Sequence, residues 1–286
     1  MNDPSPINLA LDVGGSTITV FIQYLSTDPS SFMQHKRFSS SHDNCLDQLL
    51  DIISDYQSKF LLTKIFVGLP GDSMVIKSSS VNLWCPPLNQ FIDTNILRSF
   101  GCYLLNDTEL LAFVYSHIIS LHAPINSVSS LVTIGTSFGL SIFTCNSGDI
   151  DLPSITSYEI AHSLLFDYVT ELIQFPFIDQ PVLGSLFSVG GLFVYCYPDM
   201  PFTLDGNFIR VTKNNILQVI DSKMLSSERL REWFALLSDV ISKWTDSNTS
   251  KILTFNKPFL YSPAISLLSQ SLTYSNIVRD NCILVY

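Results

Sequence analysis

Three short segments have residue types and spacings that could do chemistry. The first is Asp12-Val13-Gly14-Gly15-Ser16-Thr17. A carboxylate at a strand end can hold Mg2+, through water, because that ion sheds its hydration shell reluctantly. The two glycines let the backbone approach phosphate oxygens where a Cβ would clash, and Ser16 and Thr17 add hydroxyls. An ordinary hairpin turn has the same composition, so this segment alone does not choose. The second is Asn106-Asp107, between an apolar run and a helical pattern, where ligands meet α/β sheets. There Asp107 could accept the proton of a hydroxyl whose oxygen attacks phosphorus. Taken alone, a helix cap is the plainer reading of that Asp. The third is Glu159-Ile160-Ala161-His162. On a helix, residues three apart share a face about 5–6 Å from each other, so Glu159 and His162 could grip vicinal hydroxyls. A surface Glu beside a buried His is the plainer reading. Gly135-Thr136-Ser137-Phe138-Gly139 repeats the chemistry of the first glycine turn. No third ligand at motif spacing and no HExxH pattern accompany these residues, which argues against zinc.

The elements that must position these segments can be read from periodicity. Asn8 to Val13 and Thr17 to Tyr24 form two β-rich runs around a glycine turn, a hairpin pattern. Cys45 to Phe60 has apolar residues at helical spacing, and Lys64 to Leu69 is a buried strand stopped by Pro70-Gly71. Asn95 to Phe100 predicts a short helix, Cys102 to Leu105 a strand, and Thr108 to Leu121 a helix entered from Asn106-Asp107. Leu131 to Ile134 and Leu140 to Phe143 give a second strand–glycine turn–strand. Helices are expected over Glu159 to Leu172, Ile216 to Ile220 and Ser227 to Trp244, and strands at Ile252 to Phe255 and Ile283 to Tyr286. Two glycine hairpins, each led by a buried strand, suit two related domains presenting phosphate-gripping turns to one cleft.

The 286 residues suffice for about two domains. With 47% apolar and 14% charged residues, a large core is expected and global disorder is excluded. A net charge of −10 argues against nucleic acid as a partner. It leaves room for an anionic nucleotide, whose local positive potential comes from backbone N–H groups and Mg2+. The N-terminal residues lack the basic and apolar regions of a secretion signal. The most apolar stretch, Ser129 to Cys145, falls short of the ~20 residues of a spanning helix, so no membrane partner is expected. Six scattered cysteines without a CxxC pair fit free thiols in the cytoplasm. A homodimer is compatible with the sequence.

In this order the segments resemble the bacterial-type glucokinases of the hexokinase, actin and heat-shock chaperone ATPase superfamily. Asp12-Val13-Gly14-Gly15-Ser16 is similar to their first phosphate motif, DxGGT. Gly68-Leu69-Pro70-Gly71-Asp72 resembles their "PITGD" strand end, and Val81-Asn82-Leu83-Trp84 their "TNxxW" segment. Leu104-Leu105-Asn106-Asp107 resembles "INDF", Gly135-Thr136-Ser137-Phe138-Gly139 resembles GTGLG, and Glu159-Ile160-Ala161-His162 resembles "EGGH". Phe187 to Leu192 resembles "LSGPGL", and Arg279-Asp280-Asn281-Cys282 resembles "HDNPGLLG".

The resemblance implies an α/β, two-domain actin-like ATPase (ribonuclease H-like) fold with an interdomain cleft. It implies a small domain over 1–105 and a large one over 106–286, without the family's last helix. It further implies transfer of the ATP γ-phosphoryl group to the 6-hydroxyl of glucose or a related hexose. Asp107 would be the base, and Asn82, Asn106, Glu159 and His162 would bind sugar. Asp12, Gly14, Gly15, Ser16, Thr17, Gly135, Thr136 and Ser137 would bind ATP, with Asp12 holding Mg2+ through water.

The sequence departs from that pattern in places. The family's third sugar-binding Glu falls at Gly184, Ser137 replaces a Gly, and Asn256-Lys257-Pro258-Phe259 stands where a glycine pair meets adenosine. An impaired sugar-binding or regulatory protein is therefore the alternative. The related ROK group carries a CxCGxxGC zinc cluster that this sequence lacks, which places the chain outside that group on sequence alone.

Overall fold

Apolar, β-branched runs bounded by glycine, proline or polar turns build two sheets of similar strand order. The computed structural model describes residues 5–15, 17–26, 31–40, 44–78, 82–85, 90–145, 154–158, 160–169, 181–254 and 257–285, except the side chains of residues 82 and 84. Contacts divide the chain into one unit of residues 1–122 and 147–158, and a second of residues 123–146 and 159–286.

In the first unit the order is β1 (Pro6–Val13), β2 (Thr17–Tyr24), β3 (Met33–Ser39), α1 (Cys45–Lys59), β4 (Leu61–Leu69) and α2 (Ser73–Ser78). A small hairpin follows, β5 (Asn82–Cys85) and β6 (Gln90–Asp93), then α3 (Thr94–Ser99), β7 (Cys102–Asn106), α4 (Asp107–Val114) and α5 (Ser116–His122). The sheet runs β3-β2-β1-β4-β7, with β1, β4 and β7 mutually parallel and β2 and β3 antiparallel to their neighbours. Helix α1 forms where the periodicity expects it: Leu49, Ile52, Ile53 and Tyr56 bury one stripe, and Asn44 caps its first turn. That stripe joins a core with Leu9, Leu11, Val20, Ile65 and Val67.

In the second unit β8 (Ser127–Ile134) and β9 (Phe138–Cys145) pair as a hairpin. Strand β10 (Thr156–Tyr158) belongs to the first unit. The second unit continues with α6 (Leu183–Phe187), α7 (Val189–Cys196), β11 (Thr203–Asp205), β12 (Phe208–Arg210), α8 (Lys213–Asp221) and α9 (Ser227–Asn248). It ends with β13 (Phe259–Tyr261), α10 (Pro263–Gln270), α11 (Ser275–Asn281) and β14 (Ile283–Leu284). Its sheet contains the order β9-β8-β13-β14, again an antiparallel hairpin followed by parallel strands. Trp233, Phe234, Phe187, Phe193 and Phe259 are fully buried there, and the Trp233 indole N–H donates to the Leu186 carbonyl at 2.9 Å.

Several expected elements differ. The helix expected over Thr108 to Leu121 is two helices, broken at Tyr115, whose ring packs edge-on against Phe21 and whose backbone (φ −94°, ψ 10°) leaves the helical region. The helix expected over Glu159 to Leu172 is, in the described residues, two 3-10 turns, Ile160–His162 and Leu165–Asp167. Leu164 bridges Val182, and the Leu165 and Leu183 N–H groups bond the Pro181 and Ser163 carbonyls, so a chain crossing takes the hydrogen bonds a helix would have used. Residues 252–254 are not a strand. Ile252 is 72% exposed, whereas Phe259 and Leu260 are fully buried, and β13 takes the place beside β8.

Candidate functional site

Parallel register fixes the geometry of the first unit's site. Asp12 lies beside Gly68, and Leu69 lies beside Asn106. The carboxyl ends of β1, β4 and β7 therefore form one row, carrying Asp12, Pro70-Gly71 and Asn106-Asp107. The hairpin after Asp12 closes through the Gly14 N–H, which donates to the Thr17 carbonyl at 2.8 Å, and the Ser40 hydroxyl donates to the Gly15 carbonyl. Gly14, Gly15 and Thr17 are half-buried, and Ser16 lies outside the described residues.

Asp12 itself is only 8% exposed. Burial holds its carboxyl well above the ordinary carboxylate range, and the negative charge of Asp107 pushes it further the same way. Arg37 pulls in the opposite sense. Arg37 is reached across the sheet, since Asp12 faces Thr19 and Thr19 faces Arg37, whose Nε donates to Thr19 Oγ1 at 3.3 Å. Two neighbouring carboxyls that resist joint ionisation suit a divalent cation, which relieves both burial and repulsion.

Asn106, not Asp107, is the helix cap. Its Oδ1 accepts from the Thr108 and Glu109 N–H groups at 2.9 and 3.3 Å, and its Nδ2 donates to the Gly71 carbonyl at 2.7 Å. Asp107 is thereby the first residue of α4, half-buried, with Oδ1 accepting from its neighbour's N–H at 2.8 Å. Glu109 completes a capping box from a fully buried position. Its Oε1 receives the Lys77 ammonium at 2.5 Å, and its Oε2 accepts from the Ser73 hydroxyl at 3.2 Å. Glu109 thus ties α2 to the helix that carries Asp107, and Asn106 ties the Pro70-Gly71 turn to it. Gly68 permits the close approach of that helix. A Cβ there would lie 2.8 Å from Leu110 Cδ2 and 3.2 Å from the Asp107 Cα. On the small hairpin, Asn82 pairs with Asp93, with its side chain outside the described residues. On the same hairpin, burial pushes the Cys85 thiol up to about 12, with nearby Cys45 and then Asp107 adding in the same sense.

The second unit's turn is built differently. Gly135 and Thr136 are exposed and Ser137 half-buried, and the turn is held from two sides. The Val189 N–H, at the start of α7, donates to the Gly135 carbonyl at 2.9 Å, and Arg210 Nη1 donates to the Thr136 carbonyl at 2.7 Å. His162 is exposed on its 3-10 turn, and Glu159, expected to share a face with it, lies outside the described residues. The His162 ring meets Phe208 edge-on at 5.5 Å. Phe208 also fills the space at Gly184, where an added Cβ would lie 2.5 Å from its ring. The parallel strand that leads into the next helix is β13, so Ser262-Pro263-Ala264 stands at its end. That replaces the Asn256-Lys257 position expected from sequence, and no glycine stands there either.

Glu109, Lys77, Arg37 and Arg210 are the charged groups that sequence reasoning did not single out. Asn106-x-x-Glu109 is a readable capping-box pattern and could have found Glu109. The partners of Lys77 and Arg37, and the Thr136 carbonyl that Arg210 reaches, are distant in sequence and left no local signal. Among the described residues, no cluster of three His, Cys, Asp or Glu side chains is placed to hold a metal alone.

No family model and no curated protein matches the chain. Among solved structures it is similar to a ROK family glucokinase from Streptomyces griseus in complex with glucose and AMPPNP, with 11% identity and a TM-score of 0.61 over 96% of this chain and 88% of that one. It is similar to a glucokinase from an Antarctic psychrotroph, with 11% identity and a TM-score of 0.52 over 98% and 94%. A ROK family transcriptional regulator, a homolog of the E. coli MLC protein, gives 15% identity and a TM-score of 0.58 over 99% and 72%. The missing zinc cluster therefore does not separate this fold from that of ROK proteins. The chain has the two-domain, actin-like α/β fold shared by glucokinases and ROK sugar kinases.

Proposed function

We propose that this protein is a hexose kinase transferring the γ-phosphoryl group of ATP to the 6-hydroxyl of glucose or a related hexose. The observation that carries this reading is that Asp12 and Asp107 stand at the carboxyl ends of two parallel strands flanking β4, near enough for the charge of Asp107 to act on Asp12, which is buried beside a glycine turn. Asp107 accepts the proton of the sugar hydroxyl as that oxygen bonds to phosphorus and the bond to ADP breaks. Asn106 is held by its cap and by Gly71, so Asp107 has a fixed platform. Asp12 is the residue that would hold Mg2+, through water, and the ion when bound supplies positive charge against the phosphates. The first glycine turn, with Ser16 and Thr17, and the second, Gly135 to Ser137, take phosphate oxygens. Asn82, Glu159 and His162 contact sugar hydroxyls. Six free cysteines, all buried, suit a reducing cytoplasm, and no helix among the described residues is long and apolar enough to cross a membrane.

A second reading, a sugar-binding or regulatory protein without turnover, is favoured by Phe208 occupying the space at Gly184 and by Ser262-Pro263-Ala264 lacking glycine. A coupled assay with glucose and Mg-ATP separates the two. Turnover that disappears in Asp107→Ala, with the melting temperature retained, supports the kinase. A glucose-induced rise in melting temperature without glucose 6-phosphate supports the binding protein, and full activity in Asp107→Ala overturns the assignment of the base.

A further inference from the structure

The β11–β12 hairpin reaches the second glycine turn with a positive charge. Its two-residue connection, Gly206-Asn207, uses a positive φ of 57° at Gly206, and the register sets Asp205 opposite Phe208 and Thr203 opposite Arg210. The hairpin is not free to drift. Ile209 is 1% exposed, and its carbonyl lies so close to α7 that a Cβ on Gly190 would come within 2.0 Å of it. The same helix donates the Val189 N–H to the turn, so Arg210 and the turn share one rigid support.

Arg210 donates Nη1 to the Thr136 carbonyl at 2.7 Å, and Nε and Nη2 to a single oxygen of Asp205 at 3.2 and 2.8 Å. The Asp205 side chain is 70% exposed, and that of Arg210 31%. An exposed pair of this kind holds weakly, and a guanidinium presents a planar fork suited to phosphate oxygens. A cation is thus fixed against an exposed glycine turn and 5.7 Å from the Phe208 ring centroid, and its anionic partner is an exposed carboxylate that an incoming anion can replace.

We propose that Arg210 binds the phosphate chain of the donor at the Gly135–Ser137 turn, and that Asp205 occupies its guanidinium when no donor is bound. The ligand class is a polyphosphate anion, either a nucleoside triphosphate or inorganic polyphosphate. The inference rests on reading this turn as a donor site, and it adds a residue that no glycine motif contains. Asp205 competes with phosphate for the same N–H groups, so removing its charge strengthens donor binding. A purely structural ion pair gives the opposite sign, because its loss loosens the hairpin.

The test is calorimetric titration of the full chain with Mg-ATP and, separately, with inorganic tripolyphosphate. Arg210→Ala weakens both by about tenfold to a hundredfold, the worth of charged hydrogen bonds. Arg210→Lys recovers part of that loss, and Asp205→Asn binds more tightly than the native chain. Equal loss with both probes assigns the contact to the phosphate chain. If the native chain binds and Arg210→Ala binds equally well, or Asp205→Asn binds more weakly, this inference is overturned while the kinase reading stands. If the native chain binds neither probe, the donor-site reading of the turn fails, and this inference fails with it.

Discussion

The two hairpins occupy corresponding places in sheets of similar order, yet their ends carry opposite chemistry. One ladder position before the first turn stands Asp12, opposite Thr19, and the corresponding position in the second hairpin is Thr133, opposite Gly139. Around the first turn the fold gathers Asp12, Asp107 and, behind them, Glu109. Around the second it gathers a guanidinium and a helix N–H. The support differs as well. Asp107 stands on a helix pinned by a buried carboxylate and by close packing at Gly68, whereas Gly135 has no atom within 4 Å of where a Cβ would point. Repeating a fold therefore repeats the place for a site and leaves its charge and stiffness to individual side chains.

The largest effect that would test this contrast comes from Glu109. Glu109→Ala removes a buried partner of Lys77, Ser73 and the Asn106 N–H, and should cost about 2–3 kcal/mol in urea unfolding. A change near zero would show that the first site does not depend on this support. Gly68→Ala should follow, costing about 1–3 kcal/mol as Leu110 and α4 are forced away, with loss of any turnover larger than the loss of stability.

Asp12 gives a pH-dependent prediction. Because its folded pKa is raised, the native protein binds this proton more tightly than the unfolded chain. Its ionisation then lowers stability as pH climbs from the ordinary carboxylate range through the raised value. Asp12→Asn cannot ionise, so its melting temperature should exceed that of the native chain at pH 8, with the gap closing towards pH 4. Added Mg2+ should narrow the gap at pH 8 by stabilising the native chain alone. A gap that does not change with pH would remove the electrostatic account. The smallest effect belongs to the second turn: Gly135→Ala should change stability by no more than about 0.5 kcal/mol, and a larger cost would mean that this turn is as tightly packed as the first.

Much of the first unit was legible in the sequence. The run from Asn8 to Tyr24, the stripe in Cys45 to Phe60 and the strand stopped by Pro70-Gly71 all formed near their expected bounds, because each is decided by local periodicity and turn residues. The strands and helices from Leu183 to Arg210 were not legible. Their short apolar segments pack through glycines, Gly190 against the Ile209 carbonyl, Gly184 against the Phe208 ring and Gly191 against the Ser185 carbonyl, and such contacts leave no period to read.

The sequence by itself determined that glycine turns follow buried strands, that Asn106-Asp107 opens a helix, and that the chain is acidic and rich in apolar residues. Each of these follows from a residue's own conformational preference or from its near neighbours. Only the tertiary structure fixed the Asn106 cap against the Gly71 carbonyl, with Asp107 in the first turn of the helix. It likewise placed Asp107's charge against Asp12, broke the segment around His162 into short turns, and brought Arg210 to Thr136. Those outcomes depend on strand register, burial and the hydrogen bonds of distant backbone, where the competition between possible partners is settled by which buried groups can all be satisfied at once.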